Sequence, residues 1–247
     1  MTTTRTMLLI SLAVLLAFGA AAASAAEPGK AKPARRTNAA LEKIEDVPGL
    51  PRILLIGDSI SMGYTPAVRE LLKGKANVHH PPVNCGPTTL GVAQLEAWLG
   101  EKKWDVIHFN FGLHDMKYVN DKGALVAVAD GRQQVPIDEY RKNLEAIVTR
   151  IAKTGAALVW ASTTPVPDGA AGRVKGDAAR YNAVAAEVMK KHGVATNDLY
   201  AFALERLEKI QQPKNVHFTP EGSKALAEQV AARVLAALQK NGSGAAQ

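Results

Sequence analysis

A serine stands at position 59 directly behind the apolar run Arg52-Ile53-Leu54-Leu55-Ile56, inside the segment Gly57-Asp58-Ser59-Ile60. If a buried strand gives way to a helix there, free backbone N–H groups and the positive end of the helix dipole face any oxyanion formed beside the hydroxyl. Ser59 is therefore a candidate nucleophile, although an isolated serine after a strand is equally an ordinary helix N-cap. Three more segments carry chemical side chains: Asn84-Cys85-Gly86-Pro87-Thr88-Thr89, Phe109-Asn110-Phe111-Gly112-Leu113-His114-Asp115, and Asn215-Val216-His217-Phe218-Thr219-Pro220-Glu221-Gly222. A serine hydroxyl attacks an ester only if a base removes its proton as the bond forms. An imidazole suits that task because it titrates near neutral pH and can return the proton to the departing alkoxide. Taken one at a time, each segment also has a plain structural use: His217 can cap the last helix, His114 and Asp115 can form a hydrogen-bonded pair, and Gly86 can make a turn.

In their order and spacing these segments resemble the SGNH/GDSL hydrolase family, over about residues 50 to 240. Carried over position by position, the resemblance implies Ser59 as nucleophile, Gly86 as an oxyanion-hole backbone donor and His217 as general base. His114 falls where the family usually has an asparagine donating to the oxyanion; a neutral imidazole still carries one N–H. Lys214 occupies the position, three before the histidine, where the family commonly has an orienting aspartate. The acceptor left for His217 is then a backbone carbonyl, Asn215 or Asp198, and a Ser59–His217 dyad with a neutral acceptor is expected. Asp198 also reads as the N-cap of the helix that follows it. The activity so implied is hydrolysis of small acyl esters, with O-acetyl groups on carbohydrate as substrate. The alternatives are acyl transfer by the same site and a noncatalytic envelope domain that binds carbohydrate.

These residues need a scaffold that brings them together. Five segments rich in Ile, Val, Leu and Trp, at 52–57, 76–80, 104–110, 156–162 and 193–197, read as buried parallel strands. Helical stretches alternate with them at 65–73, 88–99, 138–153, 177–191, 199–210 and 220–239; the clearest repeats Tyr140, Leu144, Ile147, Val148 and Ile151 behind the capping candidate Asp138 and stops at Gly155. The expected fold is a three-layer α/β/α sandwich around a mostly parallel five-stranded sheet, flavodoxin-like in architecture. Such sheets bind ligands at the carboxyl rim of their strands. Two aperiodic stretches, 117–136 and 163–176, leave that rim and either border a substrate or are plain surface loops.

Composition narrows the setting. The 247 residues can bury one core, and no pattern asks for a second domain. Of the formal charge of +7, residues 1–40 hold +4, so the remainder is only mildly basic and nucleic-acid binding is not expected. Arg5, the apolar stretch Met7 to Ala23 and the small-x-small close Ala23-Ser24-Ala25 read as a cleaved export signal over 1–25 rather than a retained anchor, giving a periplasmic or secreted protein without stable membrane insertion. Residues 26–48 read as a basic Pro/Ala-rich linker, 49–240 as the catalytic domain and 241–247 as a flexible tail. Cys85 is the sole cysteine, so no intrachain disulfide forms, and it reads as a buried thiol rather than a nucleophile. No histidine set has metal-ligand spacing and no glycine-rich phosphate loop is present, so neither metal nor cofactor is expected. Oligomeric state is left open.

Overall fold

The computed structural model describes residues 38–244; the signal segment, the linker up to residue 37 and the last three residues of the tail lie outside the described residues. Five parallel strands form the central sheet: Arg52–Ile56 (β1), Asn77–His79 (β2), Val106–Phe109 (β3), Ala157–Ala161 (β6) and Ala195–Asn197 (β7). A small antiparallel pair, Tyr118–Val119 (β4) and Arg132–Gln133 (β5), lies apart from it. The sheet order is β2-β1-β3-β6-β7, all neighbours parallel. Every residue of β3 and all but the first of β1 are buried, as strands covered on both faces require.

The helices are Ser59–Leu71 (α1), Thr88–Leu99 (α2), Ile137–Ala152 (α3), Asp177–Lys191 (α4), Leu199–Leu204 (α5), Leu207–Ile210 (α6) and Pro220–Gly244 (α7). α1 packs on α7 against one face, and α2, α3 and α4 pack side by side against the other, the layering that right-handed crossovers dictate. The chain reverses its direction of winding between β1 and β3, which stay paired through Ile56 and Phe109, so the connections leaving their carboxyl ends run to opposite sides and open a crevice there. Both the Ser59 and the His114 segments emerge there.

Several expected boundaries shift. α1 starts at Ser59 rather than near 65 because Asp58, not Ser59, is the N-cap: its Oδ1 accepts from the Ile60 N–H at 2.9 Å. Pro66 then lies inside the helix despite the lost N–H. α3 starts one residue before Asp138, which sits in its first turn as a dipole-compatible acid rather than as the cap. The 199–210 stretch breaks into α5 and α6 at Glu205-Arg206, and α7 runs five residues past the expected end. Residues 38–48 are docked: Arg69 donates to the carbonyls of Ala39, Ala40 and Glu42, and Asp46 pairs with Arg52, His79 and Lys102. Among the described residues no helix is long and apolar enough to cross a membrane.

The N-terminus of α2 is capped from a distance. Its N-cap residue Pro87 offers no side-chain acceptor, and Asp115 Oδ1 instead accepts from both the backbone N–H (2.8 Å) and the hydroxyl of Thr88 (2.5 Å). Burial pushes the Asp115 carboxyl up to about 7, against these hydrogen bonds, and its Oδ2 has no partner. A carboxyl raised on folding contributes stability at low pH and loses it as pH climbs from the unfolded value of 3.8 towards about 7. Melting curves of the protein and of Asp115→Asn across that interval should therefore diverge, with the native side chain losing Tm relative to the amide as pH rises. Curves that stay parallel would contradict this.

Candidate active site

Ser59 leaves β1 through Gly57 and Asp58 and is the first residue of α1, so its hydroxyl is presented at the strand-to-helix turn. His217 lies 158 positions further along the chain, yet Ser59 Oγ donates to His217 Nε2 at 2.9 Å. The other ring nitrogen is occupied as well: His217 Nδ1 lies 2.8 Å from Asn215 Oδ1, which also accepts from the His217 backbone N–H at 3.1 Å. An amide oxygen only accepts, so Nδ1 carries the ring proton and Nε2 presents its lone pair to the serine. That is the tautomer a general base needs.

The loop carrying His217 is closed on itself. Gln212 N donates to the His217 carbonyl at 2.9 Å, and Thr219 N donates to the Ile210 carbonyl at 2.9 Å. Gln211 reaches from buried cover to the carbonyls of Pro165 and Val216. Gly222, in the first turn of α7, comes so near that a Cβ there would lie 2.1 Å from the Ile210 carbonyl oxygen. Lys214, at the usual aspartate position, adopts a left-handed backbone (φ 56°) and is exposed in this turn. Asp198 is elsewhere: its Oδ1 caps α5 through Ala201 N at 3.0 Å and accepts from Ser162 Oγ at 2.8 Å.

Around the hydroxyl lie the groups that would face an oxyanion. The first amides of α1 have no intrahelical acceptor, and that of Ile60 is already taken by Asp58; the Ser59 N–H, on the same residue as the hydroxyl, is not. Gly86 adopts φ 59°, which favours glycine, and its N–H donates to Asn84 Oδ1 at 3.0 Å. Asn84 and His114 both line the cleft beside Ser59 and His217, a hollow of about 330 Å³. Burial lowers the His114 pKa; Lys117, Arg173 and His217 push the same way and Asp58 opposes them. The imidazole is thus held neutral, with one N–H to give. Tyr140 and Thr163 hydroxyls donate to the Phe111 carbonyl and hold the backbone just ahead of it.

The remaining candidates have structural work. Cys85 is buried and its thiol is pushed up to about 12, mainly by burial, so it is no nucleophile at neutral pH. His79 pairs with Asp46, His80 with the Pro81 carbonyl, His108 with Asn197 and His192 with Glu145. A larger hollow of about 560 Å³ between α1 and α7 is lined by Pro66, Ala67, Leu71 and Pro220 together with Glu70, Lys224 and Glu228, and no imidazole lines it. The serine–histidine pair lines the smaller one. The sequence reading missed Asn84, Lys117, Leu125 and Arg173 as individual members of the cleft. The only signal was the pair of aperiodic rim loops that supplies the last three.

The GDSL-like lipase/acylhydrolase family matches residues 55–225. No curated protein matches the chain. Among solved structures, the acetyl xylan esterase AlAXEase superposes with a TM-score of 0.61 at 15% identity, over 74% of this chain and 99% of its own. A lipase/acylhydrolase from Enterococcus faecalis gives 0.61 at 20%, over 75% and 95%. Axe2, an acetylxylan esterase from Geobacillus stearothermophilus, gives 0.61 at 17%, over 76% and 94%. At these identities the likeness is one of fold. The family match spans the serine turn, the third motif and the histidine loop, and so this chain belongs to the GDSL-like lipase/acylhydrolase family of ester-hydrolysing enzymes.

Proposed function

We propose that this enzyme removes short acyl groups, chiefly O-acetyl, from carbohydrate, through a Ser59 acyl-enzyme with His217 as base. The observation that carries this reading is the 2.9 Å contact from Ser59 Oγ to His217 Nε2. Ser59 Oγ attacks the ester carbonyl carbon while its proton passes to Nε2. The carbonyl oxygen becomes an oxyanion facing the Ser59 N–H, the His114 N–H and, once Asn84 yields or shares it, the Gly86 N–H. Collapse breaks the bond to the alkoxide, which takes the proton from His217; water, deprotonated by the same imidazole, then releases the acid.

The small cleft suits a short acyl chain, and the acetyl xylan esterases of like fold are consistent with a sugar alcohol. We also place the enzyme outside the cytoplasm, on the reading of residues 1–25 as an export signal. Turnover of p-nitrophenyl esters of increasing chain length, beside acetylated xylan, tests the substrate class. Acetate should be preferred; a steady rise in kcat/KM towards long chains would overturn the assignment.

The dyad is tested at its acceptor. Removing the Asn215 amide frees the imidazole to rotate, so Asn215→Ala should lower kcat about 10- to 100-fold, whereas Asp198→Ala should cost stability, about 1 kcal/mol for a lost cap, and little activity. The reverse ranking would make Asp198 the partner of the base.

A further inference from the structure

We propose that the ester cleaved at this site carries a carboxylate, held against Lys117 and Arg173, as in an O-acetylated uronic acid. The inference rests on the esterase reading above and specifies its substrate. The two rim loops supply both cations, and their backbones are joined where the cations stand: Tyr118 N, next to Lys117, donates to the carbonyl of Gly172, next to Arg173, at 2.8 Å. Both side chains line the cleft that contains Ser59 and His217, and both are half-buried. Arg173 is fixed by its Nε, which donates to the Leu113 carbonyl at 3.0 Å, while Nη1 makes a longer contact of 3.4 Å to Ala171. Its Nη2 has no hydrogen bond among the described residues.

Charge in the cleft is unbalanced. Among the described residues neither cation has a carboxylate within ion-pair distance, and the only acid lining the cleft is Asp58, whose carboxylate is engaged in capping α1. Two positive side chains thus face one negative one. The two cations also disfavour each other: burial first, and then the Arg173 charge, lowers the Lys117 pKa. Placing two half-dehydrated cations of like sign on one wall costs stability. An anionic substrate offsets that cost when it binds. The planar guanidinium can take a carboxylate through two N–H groups, and the ammonium can act as a point charge beside it. A neutral acetylated xylan leaves both unpaired.

The anion can belong to the alcohol or to the acyl group, and paired substrates separate these sources. A mono-O-acetyl methyl glucuronoside is compared with the matching glucoside, and p-nitrophenyl hemisuccinate with p-nitrophenyl butyrate. The acidic member of the first pair is expected to have a kcat/KM about tenfold higher, carried mostly by KM. That ratio should fall towards one in Lys117→Gln, in Arg173→Gln, and for the native enzyme in about 0.5 M sodium chloride. Lys117→Gln is the cleaner variant, since the ammonium makes no hydrogen bond among the described residues and its loss does not release the Leu113 carbonyl. A preference in the second pair alone would move the carboxylate to the acyl side while leaving its partners as proposed. Ratios of one or less in both pairs, with Ser59-dependent turnover of the neutral esters, overturn the proposal and spare the esterase reading. A preference that survives both substitutions also overturns it. If no ester is turned over by a Ser59-dependent route, the esterase reading itself fails.

Discussion

Ser59→Ala is expected to reduce kcat for a short-chain ester by about four orders of magnitude or more, and His217→Ala by a similar factor. The reason is the shared hydrogen bond: without the imidazole the hydroxyl has no acceptor for its proton, and without the hydroxyl no acyl-enzyme forms. Because the two act as a unit, the double variant should be scarcely slower than either single one. Steady-state assays of the three variants, with a fluorophosphonate probe reporting covalent capture at Ser59, check this. Ser59→Ala that still reacts with the probe, or two single losses that multiply in the double variant, would show that the groups work independently.

The next largest effect is expected at His114. Its neutral ring contributes one N–H beside the nucleophile, and a donor aimed at a developing oxyanion is worth about 3 to 4 kcal/mol. His114→Ala should therefore lower kcat about 10²- to 10³-fold while KM changes little, since the contact strengthens only as charge builds on the oxygen. His114→Asn should recover much of the rate, because a carboxamide N–H can occupy the same place. An unchanged kcat in the alanine variant would remove His114 from the oxyanion hole.

The strand core was legible because both faces of β1 and β3 are covered, and such strands advertise themselves as unbroken apolar runs. β2 is only three residues long and gave a weaker pattern; it is held as much by Asn77, whose side chain brackets Val47 and Leu50, as by its own apolar side chains. The start of α1 was harder to place, since Gly63 and Pro66 argue locally against a helix that Asp58 nonetheless caps. Ser59, His217 and the Gly112-to-Asp115 segment could be singled out because their spacing in the chain is distinctive, and the structure brings the first two into contact. Asn215 was one of three acceptors, and coordinates distinguish them because only its oxygen reaches Nδ1. Lys117 and Arg173 could not be found in this way. They sit on loops without periodicity, and what makes them neighbours is a backbone hydrogen bond between residues 54 positions apart.

The tight ring that carries the imidazole has an energetic meaning. The His217 carbonyl and the Asn215 and His217 amides are bonded within the turn, and its far end presses on the Ile210 oxygen with no room for even a methyl group at Gly222. The imidazole is therefore aimed at Ser59 when the polypeptide folds and need not be aimed again for each molecule processed. Swapping Gly222 for a bulkier residue would tax reaction speed through a tilt of the ring, although that residue touches no reacting atom.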